Sequence, residues 1–354
     1  MQTARHAKLD TRLGADSVAL LGAAETEGQV TRQRAVVGTY SLRNDKGDAP
    51  YRDGGLLVVS ATREGDVCSL SMEQEVHDIP GVLDVAAQTS PGILYAACAN
   101  DSFLAFGDID GEGRFLHSLQ KVREVEDPNR ILLSVDVCED PGSDDAFVAS
   151  SDSAGGISVY RAVKHGWEPV IQRDTHTQEA WSVHIDVSRE AMYSGGDDGA
   201  LVCYDWNTDI ECFRLRKAHG GVGVTAVTKN MFESREEGEF HLWSGGYDDV
   251  LRFWDIRFTK QCVSEVAVGG GVWRIRFHPK KKDLMLVATM YDGFKVVRRD
   301  CSDHLEVLCH YQGHDSMAYG ATWVPALDRG DQHVALTGSF YDHSLQLWTF
   351  DDNP

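Results

Sequence analysis

A repeated pattern of small residues, a turn aspartate and a strand that ends on Trp-Asp constrains this chain more than any other feature. Residues 244–257, SGGYDDVLRFWDIR, are the clearest copy, with Trp254-Asp255 at the end. Residues 193–205, YSGGDDGALVCYD, are a second copy, with Tyr204 in place of the Trp. Each copy supplies half of a four-stranded sheet, the unit of a β-propeller blade. The pattern therefore predicts an all-β chain built from blades around a central channel.

The rest of the chain predicts seven such blades. Short runs rich in Val, Ile, Leu, Tyr and Thr alternate with Gly, Asp, Asn and Ser turns from one end to the other. Turn aspartates recur at intervals near the ~40–45-residue blade period once loop insertions are allowed; they are Asp198, Asp248, Asp292 and Asp342. The first blade is predicted at 17–22, 34–42, 54–61 and about 68–75, with a loop at 43–53. The outer strand of the second blade is predicted at 115–122.

The last blade has three predicted strands before the sequence stops, which leaves one edge unpaired. An unpaired edge is a liability for a folded protein. We expect residues 4–10 to add the missing outer strand, so that segment 1–12 closes the ring. The prediction is a single domain over 1–354, a seven-bladed WD-repeat β-propeller closed by an N-terminal strand.

The amino-acid composition limits the classes of partner that the chain is expected to bind. The 354 residues carry a formal net charge of −21, which disfavours binding to nucleic acid or to an anionic membrane surface. Eight scattered cysteines form no CxxC pair, the usual pattern of free thiols in a reducing compartment. No leader-like or membrane-spanning apolar run is present. We expect a cytoplasmic, monomeric protein.

Many conspicuous polar residues have a structural explanation. His176, His219 and His314 precede inner strands, and turn aspartates follow them at a constant place in the repeat. Such groups form hydrogen-bonded networks within blades. The sequence contains no GxSxG, HExxH, P-loop or strand-following GxGxxG motif, so no metal or cofactor is predicted.

A second set of residues is not explained by the blade frame. These residues stand where inner strands begin or where turns end, two places that open on the same face of a propeller; they are Asp16, Ser17, Tyr40, Glu179, Trp181, Tyr247, Trp273, Arg274, Ser316, Tyr319, Tyr341 and His343. Aromatic faces beside a carboxylate form a binding site for a quaternary ammonium group. We therefore expect a cation-binding mouth.

At these residues the chain resembles the WD-repeat family of diphthine methyl ester hydrolases, also called diphthine methyltransferases. The resemblance runs in order along the chain, through LDTRLGADSV (9–18), VVGTYSL (36–42), SSDSAG (150–155), HTQEAW (176–181), YSGGDDG (193–199), GGYDDVLRFWD (245–255), GGVWRIRFHP (270–279), DGFKV (292–296), SMAYGATW (316–323) and SFYDHSLQLW (339–348). The chain departs from the family pattern at Tyr204, where Trp is usual, and in the short 311–334 segment.

The resemblance implies a carboxylic-ester hydrolase of diphthamide biosynthesis. Its substrate is a modified histidine of translation elongation factor 2 that bears a trimethylammonium group and a methyl ester. Hydrolysis releases methanol and leaves diphthine. The alternative from the fold alone is a non-catalytic WD-repeat scaffold for protein–protein interaction.

Roles follow for the residues of the mouth. His343, flanked by Asp342, is predicted as the general base. The nucleophile is either water or Ser316, and Arg274 or backbone N–H groups near Gly270 stabilise the oxyanion. Substrate binding is assigned to aromatic and acidic residues, namely Glu179, Trp181, Tyr247, Trp273, Tyr319 and Tyr341. The structural alternative for His343 is a turn histidine on the rim.

Overall fold

The computed structural model describes residues 2–43, 51–88, 92–107, 120–123, 125–140, 145–163, 166–234 and 238–352. Within these ranges the chain forms seven four-stranded sheets, and every neighbouring pair of strands is antiparallel. Two short 3-10 helices connect strands at Val187–Arg189 and Pro325–Leu327. No helix of the described ranges has the length and apolar character that crossing a membrane requires.

The strands follow one another blade by blade. The first two blades contain β2 (Gly14–Glu27), β3 (Val30–Arg43), β4 (Tyr51–Glu64), β5 (Val67–Pro80), β6 (Val82–Gln88), β7 (Ile93–Cys98), β8 (Phe103–Gly107) and β9 (Gln120–Lys121). The third and fourth contain β10 (Leu132–Glu139), β11 (Ala146–Asp152), β12 (Gly156–Val163), β13 (Gly166–Asp174), β14 (Ala180–Asp186), β15 (Ala191–Gly196), β16 (Leu201–Asp205) and β17 (Ile210–Leu215).

The last three blades contain β18 (Val224–Thr228), β19 (His241–Gly246), β20 (Val250–Asp255), β21 (Ser264–Ala267), β22 (Arg274–His278), β23 (Lys281–Ala288), β24 (Phe294–Arg299), β25 (Leu305–Tyr311), β26 (Ala318–Trp323), β27 (Gln332–Ser339) and β28 (Ser344–Asp351). The outer strand of the seventh blade is β1 (Thr3–Asp10), which pairs with β28. This pairing covers the free edge and confirms the predicted closure by the N-terminal strand. The predicted seven-bladed all-β propeller is confirmed with it.

The first strand of each blade lies innermost. These strands contact one another around a ring, from β2 through β6, β10, β14, β18 and β22 to β26, and β26 contacts β2. All seven blades meet at the channel between these strands. Residues near the starts of these strands are therefore brought together although they are far apart in sequence.

Apolar clusters fill the spaces between neighbouring blades. Successive residues of a strand point to opposite faces, so Val36 of β3 packs towards the second blade and Val37 towards the seventh. Seven buried clusters result, one for each interface between blades. Full burial of each large side chain contributes roughly 1.5–3 kcal/mol, so the ring is held by hydrophobic contacts distributed around it.

The repeated His, Ser and Asp residues form the predicted frame networks. In the fifth blade, His219 Nδ1 lies 2.7 Å from Asp248 and Nε2 lies 2.8 Å from Ser244 Oγ. Trp254 Nε1 donates to the same serine at 2.8 Å. The second Gly of the repeat is required by close approach, because a Cβ on Gly246 would lie 2.8 Å from the His219 ring.

The fourth blade keeps this frame without the Trp. His176 contacts Asp198 and Ser194, both at 2.9 Å. The Tyr204 hydroxyl donates instead to Asp209, further along the same blade. The substitution at position 204 thus changes one side-chain partner and leaves the network in place.

Some predicted boundaries were wrong. Strands β2 and β3 extend into a long hairpin, because Glu27 pairs with Val30 beyond the predicted strand ends. The loop predicted at 43–53 is shorter, since Arg43 lies in β3 and Tyr51 begins β4; residues 44–50 lie outside the described residues. The strand predicted at 115–122 is described only at Gln120–Lys121. All eight cysteines are free, and four of them are buried.

Candidate active site at the mouth of the central channel

A bulge recurs near the start of the inner strands. In six blades the pairing between the first and second strands skips one residue; the skipped residues are Asp16, Leu83, Leu133, Trp181, Thr225 and Tyr319. In the sixth blade Trp273 stands at the same place, directly before Arg274, the first residue of β22. A bulge re-aims the side chain of the extra residue. The propeller thereby places seven side chains in one ring.

Six of these seven side chains line a single pocket of about 230 Å³; Thr225 is the exception. Ser153, Tyr247 and Tyr291 line it from the turns between second and third strands. Inner-strand starts and these turns therefore open on one face, as predicted. Of the residues predicted to bind substrate, the pocket brings together five, which are Glu179, Trp181, Tyr247, Trp273 and Tyr319.

Aromatic rings form one wall of the pocket. The Trp181 and Trp273 rings have centroids 5.5 Å apart, and Tyr319 stacks on Trp273 at 4.8 Å with an interplanar angle of 26°. Phe340 continues the contact from Tyr319 at 5.6 Å to Tyr40 at 4.7 Å. Four blades thus supply a continuous series of aromatic rings, and all of them except Phe340 line the pocket.

Carboxylates lie at the edge of this wall. The indole N–H of Trp181 donates to Asp197 Oδ1 at 3.0 Å, and the Asp197 amide donates to the Glu179 carbonyl at 2.8 Å. Burial, followed by the negative charges of Asp197 and Glu179, raises the pKa of Tyr247 to about 12. The mouth is therefore both aromatic and negative, an environment that favours an organic cation.

Asp16 is the acidic member of the ring. Its side chain is buried, and Oδ1 has no hydrogen-bond partner within the described part of the chain. Burial raises the pKa of Asp16 to about 7, although the Arg274 charge and the Trp273 indole N–H act in the opposite direction. Asp16 was among the residues predicted at the mouth, but no role was predicted for it. The likeness of ADSV at 15–18 to AWSV at 180–183 was the available signal that Asp16 occupies the position of Trp181.

An ion pair spans the channel one residue further along the inner strands. Arg274 Nη1 donates to Asp84 Oδ1 at 2.7 Å, and Nη2 donates to the Leu83 carbonyl at 3.2 Å. Both side chains line a second cavity of about 400 Å³, called the lower cavity below. They are absent from the lining of the 230 Å³ pocket, called the upper pocket. Arg274, predicted to stabilise an oxyanion, is instead engaged with Asp84 at the floor of the mouth.

The remaining predicted residues lie in the seventh blade, outside the pocket lining. Asp342 accepts hydrogen bonds from Ser344 Oγ at 2.9 Å and from the Asp315 amide at 3.0 Å, so it belongs to the blade frame. Ser316 Oγ accepts from the Tyr341 amide at 3.2 Å, and the Tyr341 ring is 70% exposed beside Phe340. These contacts place Ser316 and Tyr341 on the rim.

His343 occupies the turn before β28 with a left-handed φ of 49°. Its carbonyl accepts the Thr11 amide at 2.8 Å, which ties the end of the closing strand to the turn. No hydrogen bond joins its imidazole to Asp342 or Ser316 among the described contacts. The geometry therefore brings five of the six predicted binding residues together, and it leaves Tyr341, the predicted base His343 and the candidate nucleophile Ser316 outside the pocket lining.

A His-Asp-His cluster on the sixth and seventh blades has the composition of a metal site. His278 and His333 face Asp328 at 3.0 and 3.3 Å, and all three ligand atoms lie within 4.8 Å. However, His278 Nδ1 accepts the amides of Lys280 and Lys281, both at 3.1 Å. The proton must then reside on Nε2, which donates it to Asp328. The cluster is accounted for as a hydrogen-bonded triad.

Comparison with known proteins adds a second line of evidence. The chain is 28% identical to human diphthine methyltransferase over 356 residues, which cover 92% of this chain and 76% of the relative. The protein of the same name in Schizosaccharomyces pombe is 28% identical over 330 residues, covering 90% and 92%. No family model matches the chain.

A chain from a crystal structure of the mitotic checkpoint complex aligns over 99% of this chain with a TM-score of 0.67 and 17% identity. At that identity the likeness shows the fold alone. Fold and repeat together define a WD-repeat β-propeller. Within that class, the chain is similar to the diphthine methyltransferases along nearly its whole length.

Proposed function

We propose that this protein is an esterase of diphthamide biosynthesis that hydrolyses the methyl ester of diphthine on translation elongation factor 2. The observation that carries the proposal is the pocket at the channel mouth, where stacked aromatic rings, an acidic edge and a buried carboxylate meet. The names of the relatives support the pathway. The buried carboxylate in the pocket supports hydrolysis as the direction of the reaction.

The aromatic wall suits the trimethylammonium group of the substrate. Trp181, Trp273 and Tyr319 present π-faces, and cation–π contacts contribute about 0.5–2 kcal/mol each. Glu179 and Asp197 add negative charge at the edge. A quaternary ammonium carries no N–H to donate, so recognition by faces and charge fits it better than recognition by hydrogen-bond acceptors.

The acidic surface suits a protein substrate with basic character around the modified histidine. Net charge of one sign accelerates encounter with a partner of the other sign. A formal charge of −21 gives this steering without a dedicated docking motif. The cytoplasm, where translation takes place, is the proposed location.

Methanol release tests the proposal. Purified protein is incubated with methyl-esterified elongation factor 2 and no methyl donor, and the expected result is one methanol per modified histidine. Methylation of the unesterified factor by an added methyl donor, without methanol release from the esterified factor, would identify a transferase. Binding of the factor without methanol release would identify the scaffold alternative.

Paired tryptophan and phenylalanine variants locate the activity. Trp181→Ala removes one face of the pocket, whereas Phe258→Ala removes a 71% exposed ring that does not line it. The proposal expects the first variant to lose activity and the second to keep it. Equal activity of both would place the reaction elsewhere on the molecule.

A further inference from the structure

We infer that Asp16 is the general base of the pocket, which removes a proton from the water that attacks the ester, and that Arg52 stabilises the resulting oxyanion. This inference rests on the proposed ester hydrolysis. It replaces His343, the base predicted from sequence, with a residue that the bulge of β2 directs into the pocket itself.

Position within the ring singles out Asp16. The six other ring positions carry Leu83, Leu133, Trp181, Thr225, Trp273 and Tyr319. Asp16 is thus the only carboxylate among the seven. A ring otherwise built for packing and π-faces has one member able to accept a proton at neutral pH.

The carboxylate has a free acceptor site. Oδ1 has no partner among the described residues, although the side chain is only 3% exposed. A buried acceptor without a partner costs free energy in the folded protein. A carboxylate that serves only the fold would be satisfied, as Asp342 and Asp248 are in their blade frames. Asp16 belongs to the pocket lining, where a bound water would supply the missing partner.

Burial and charged groups from three strands set the proton affinity of this carboxylate. Arg274 of β22 and Arg52 of β4 lower its pKa, whereas Asp84 of β6 raises it. Tyr40 of β3 and Tyr319 of β26 also face it, and its charge contributes to the raised pKa of both phenols. Burial raises the pKa of Asp16 by more than the two arginine charges lower it, and the resulting pKa is about 7. A base is most effective when its pKa lies near the working pH.

Arg52 supplies positive charge to the same pocket. Its guanidinium lies 5.7 Å from the centroid of the Tyr40 ring, and its buried Nε has no partner among the described residues. Arg274 also has an unpartnered Nε, but its Nη1 and Nη2 are bound to Asp84 and the Leu83 carbonyl, and it does not line this pocket. Arg52 is therefore the guanidinium of the pocket lining with donor capacity left for a developing oxyanion.

The reaction balances with these two groups. Asp16 takes a proton from water while the water oxygen bonds to the ester carbonyl carbon, and Arg52 faces the negative oxygen of the tetrahedral intermediate. Collapse of the intermediate breaks the bond to the methoxy oxygen, and the proton returns from Asp16 to the departing methoxide. The products are methanol and the carboxylic acid, which releases its proton to solvent.

A second role for Asp16 has to be distinguished, because a carboxylate also attracts an ammonium group. A counter-ion stabilises bound substrate and transition state alike, so its loss raises KM and leaves kcat nearly unchanged. A base acts on the water in the transition state, so its loss lowers kcat. The two roles therefore give opposite patterns in the same kinetic experiment.

The test compares wild-type protein with Asp16→Asn on methyl-esterified elongation factor 2. Asn is isosteric and neutral, so the variant keeps the shape of the bulge. We expect kcat to fall about 10²–10⁴-fold, the range for loss of a general base. The wild-type rate should rise with pH through about 7 and the variant should show no such step. Asp136→Asn, in a carboxylate that lines only the lower cavity, is the matched control and should retain both kcat and the pH step.

Each outcome is decisive. Wild-type methanol release together with a fully active Asp16→Asn variant would overturn the base assignment and leave the esterase proposal intact. A raised KM with unchanged kcat would overturn it in favour of the counter-ion role. Loss of the pH step in His343→Ala, with retention in Asp16→Asn, would return the base to His343. If wild-type protein releases no methanol, the proposed function itself fails. Arg52→Met should lower kcat about 10²–10³-fold, and an unchanged kcat would remove Arg52 from the mechanism.

Discussion

Asp84 and Arg274 face each other across the central channel, from the second and the sixth blade, with their charged atoms 2.7 Å apart. Their side chains are 3% and 10% exposed, so the pair is desolvated on almost every side. It separates the upper pocket, with its aromatic wall, from the lower cavity. The floor of the candidate site is thus an electrostatic contact between distant blades.

Breaking this pair is predicted to destabilise the protein. Arg274→Met leaves the Asp84 charge buried without its partner, which costs about 3–5 kcal/mol. The double variant Arg274→Met, Asp84→Leu removes both charges and should recover most of that loss. Chemical denaturation measures both. A single variant as stable as wild type would show that water, not Arg274, compensates Asp84.

The same pair is predicted to tune the pH dependence of activity. Arg274 lowers the pKa of Asp16 and Asp84 raises it. Loss of Arg274 alone should therefore move the step in rate to higher pH. Loss of both should bring the step back towards its wild-type position. An unmoved step in the single variant would contradict the placement of Asp16 as the titrating group.

Stability should depend on pH through Asp16, with a sign that can be stated in advance. Burial raises the folded-state pKa from 3.8 to about 7, so the folded protein holds a proton that the unfolded chain has lost. Stability therefore falls as pH rises from about 4 to about 7, by up to about 4 kcal/mol. Asp16→Asn removes this effect and should be the more stable protein at pH 8. Denaturation curves across this range test it, and parallel profiles for the two proteins would refute it.

The frame histidines should act in the opposite direction. Burial lowers the pKa of His314 to about 4 and also lowers the pKa of His176 and His219. The unfolded chain then binds protons that the folded protein does not, so stability is lost as pH falls from about 6.5 to about 4. For His314 the loss is about 3 kcal/mol. His314→Asn should flatten this part of the profile, and an unchanged slope would assign the acid sensitivity to other groups.

Recognition of the ammonium group should show in KM. Trp181→Ala removes one π-face worth about 0.5–2 kcal/mol, which corresponds to a rise in KM of roughly 2- to 30-fold. Trp181→Phe keeps a face and should recover part of it. An ester substrate with an uncharged tert-butyl group in place of trimethylammonium should bind weakly to wild type and lose nothing further in the Ala variant. Equal loss with both substrates would indicate packing instead of cation recognition.

The fold was predictable because elements of the repeat occur several times along the chain. Turn aspartates and His-Ser pairs recur, the strand ending of an aromatic residue and Asp is found at both 204–205 and 254–255, and the closing strand follows from one uncovered edge. Strand ends were less predictable, because the long β2–β3 hairpin depends on pairing and not on composition.

The binding half of the site was also within reach of the sequence. Trp181, Trp273 and Tyr319 converge because each stands at the start of an inner strand, a position visible in the repeat. The proposed catalytic residues could not be predicted from the sequence. His343 attracted attention as an imidazole near a carboxylate, but Asp342 is turned towards Ser344. Whether an oxygen of Asp16 lacks a partner depends on residues that other blades bring near it, and no linear pattern records them.

Hydrolysis in ¹⁸O-labelled water tests the central claim most directly. Methyl-esterified elongation factor 2 is incubated with the protein, without a methyl donor, and the modified peptide and methanol are analysed by mass spectrometry. Attack of water on the ester carbonyl predicts one heavy oxygen in the new carboxyl group and none in methanol. Label in the methanol, or no conversion unless a methyl donor is added, would contradict the account.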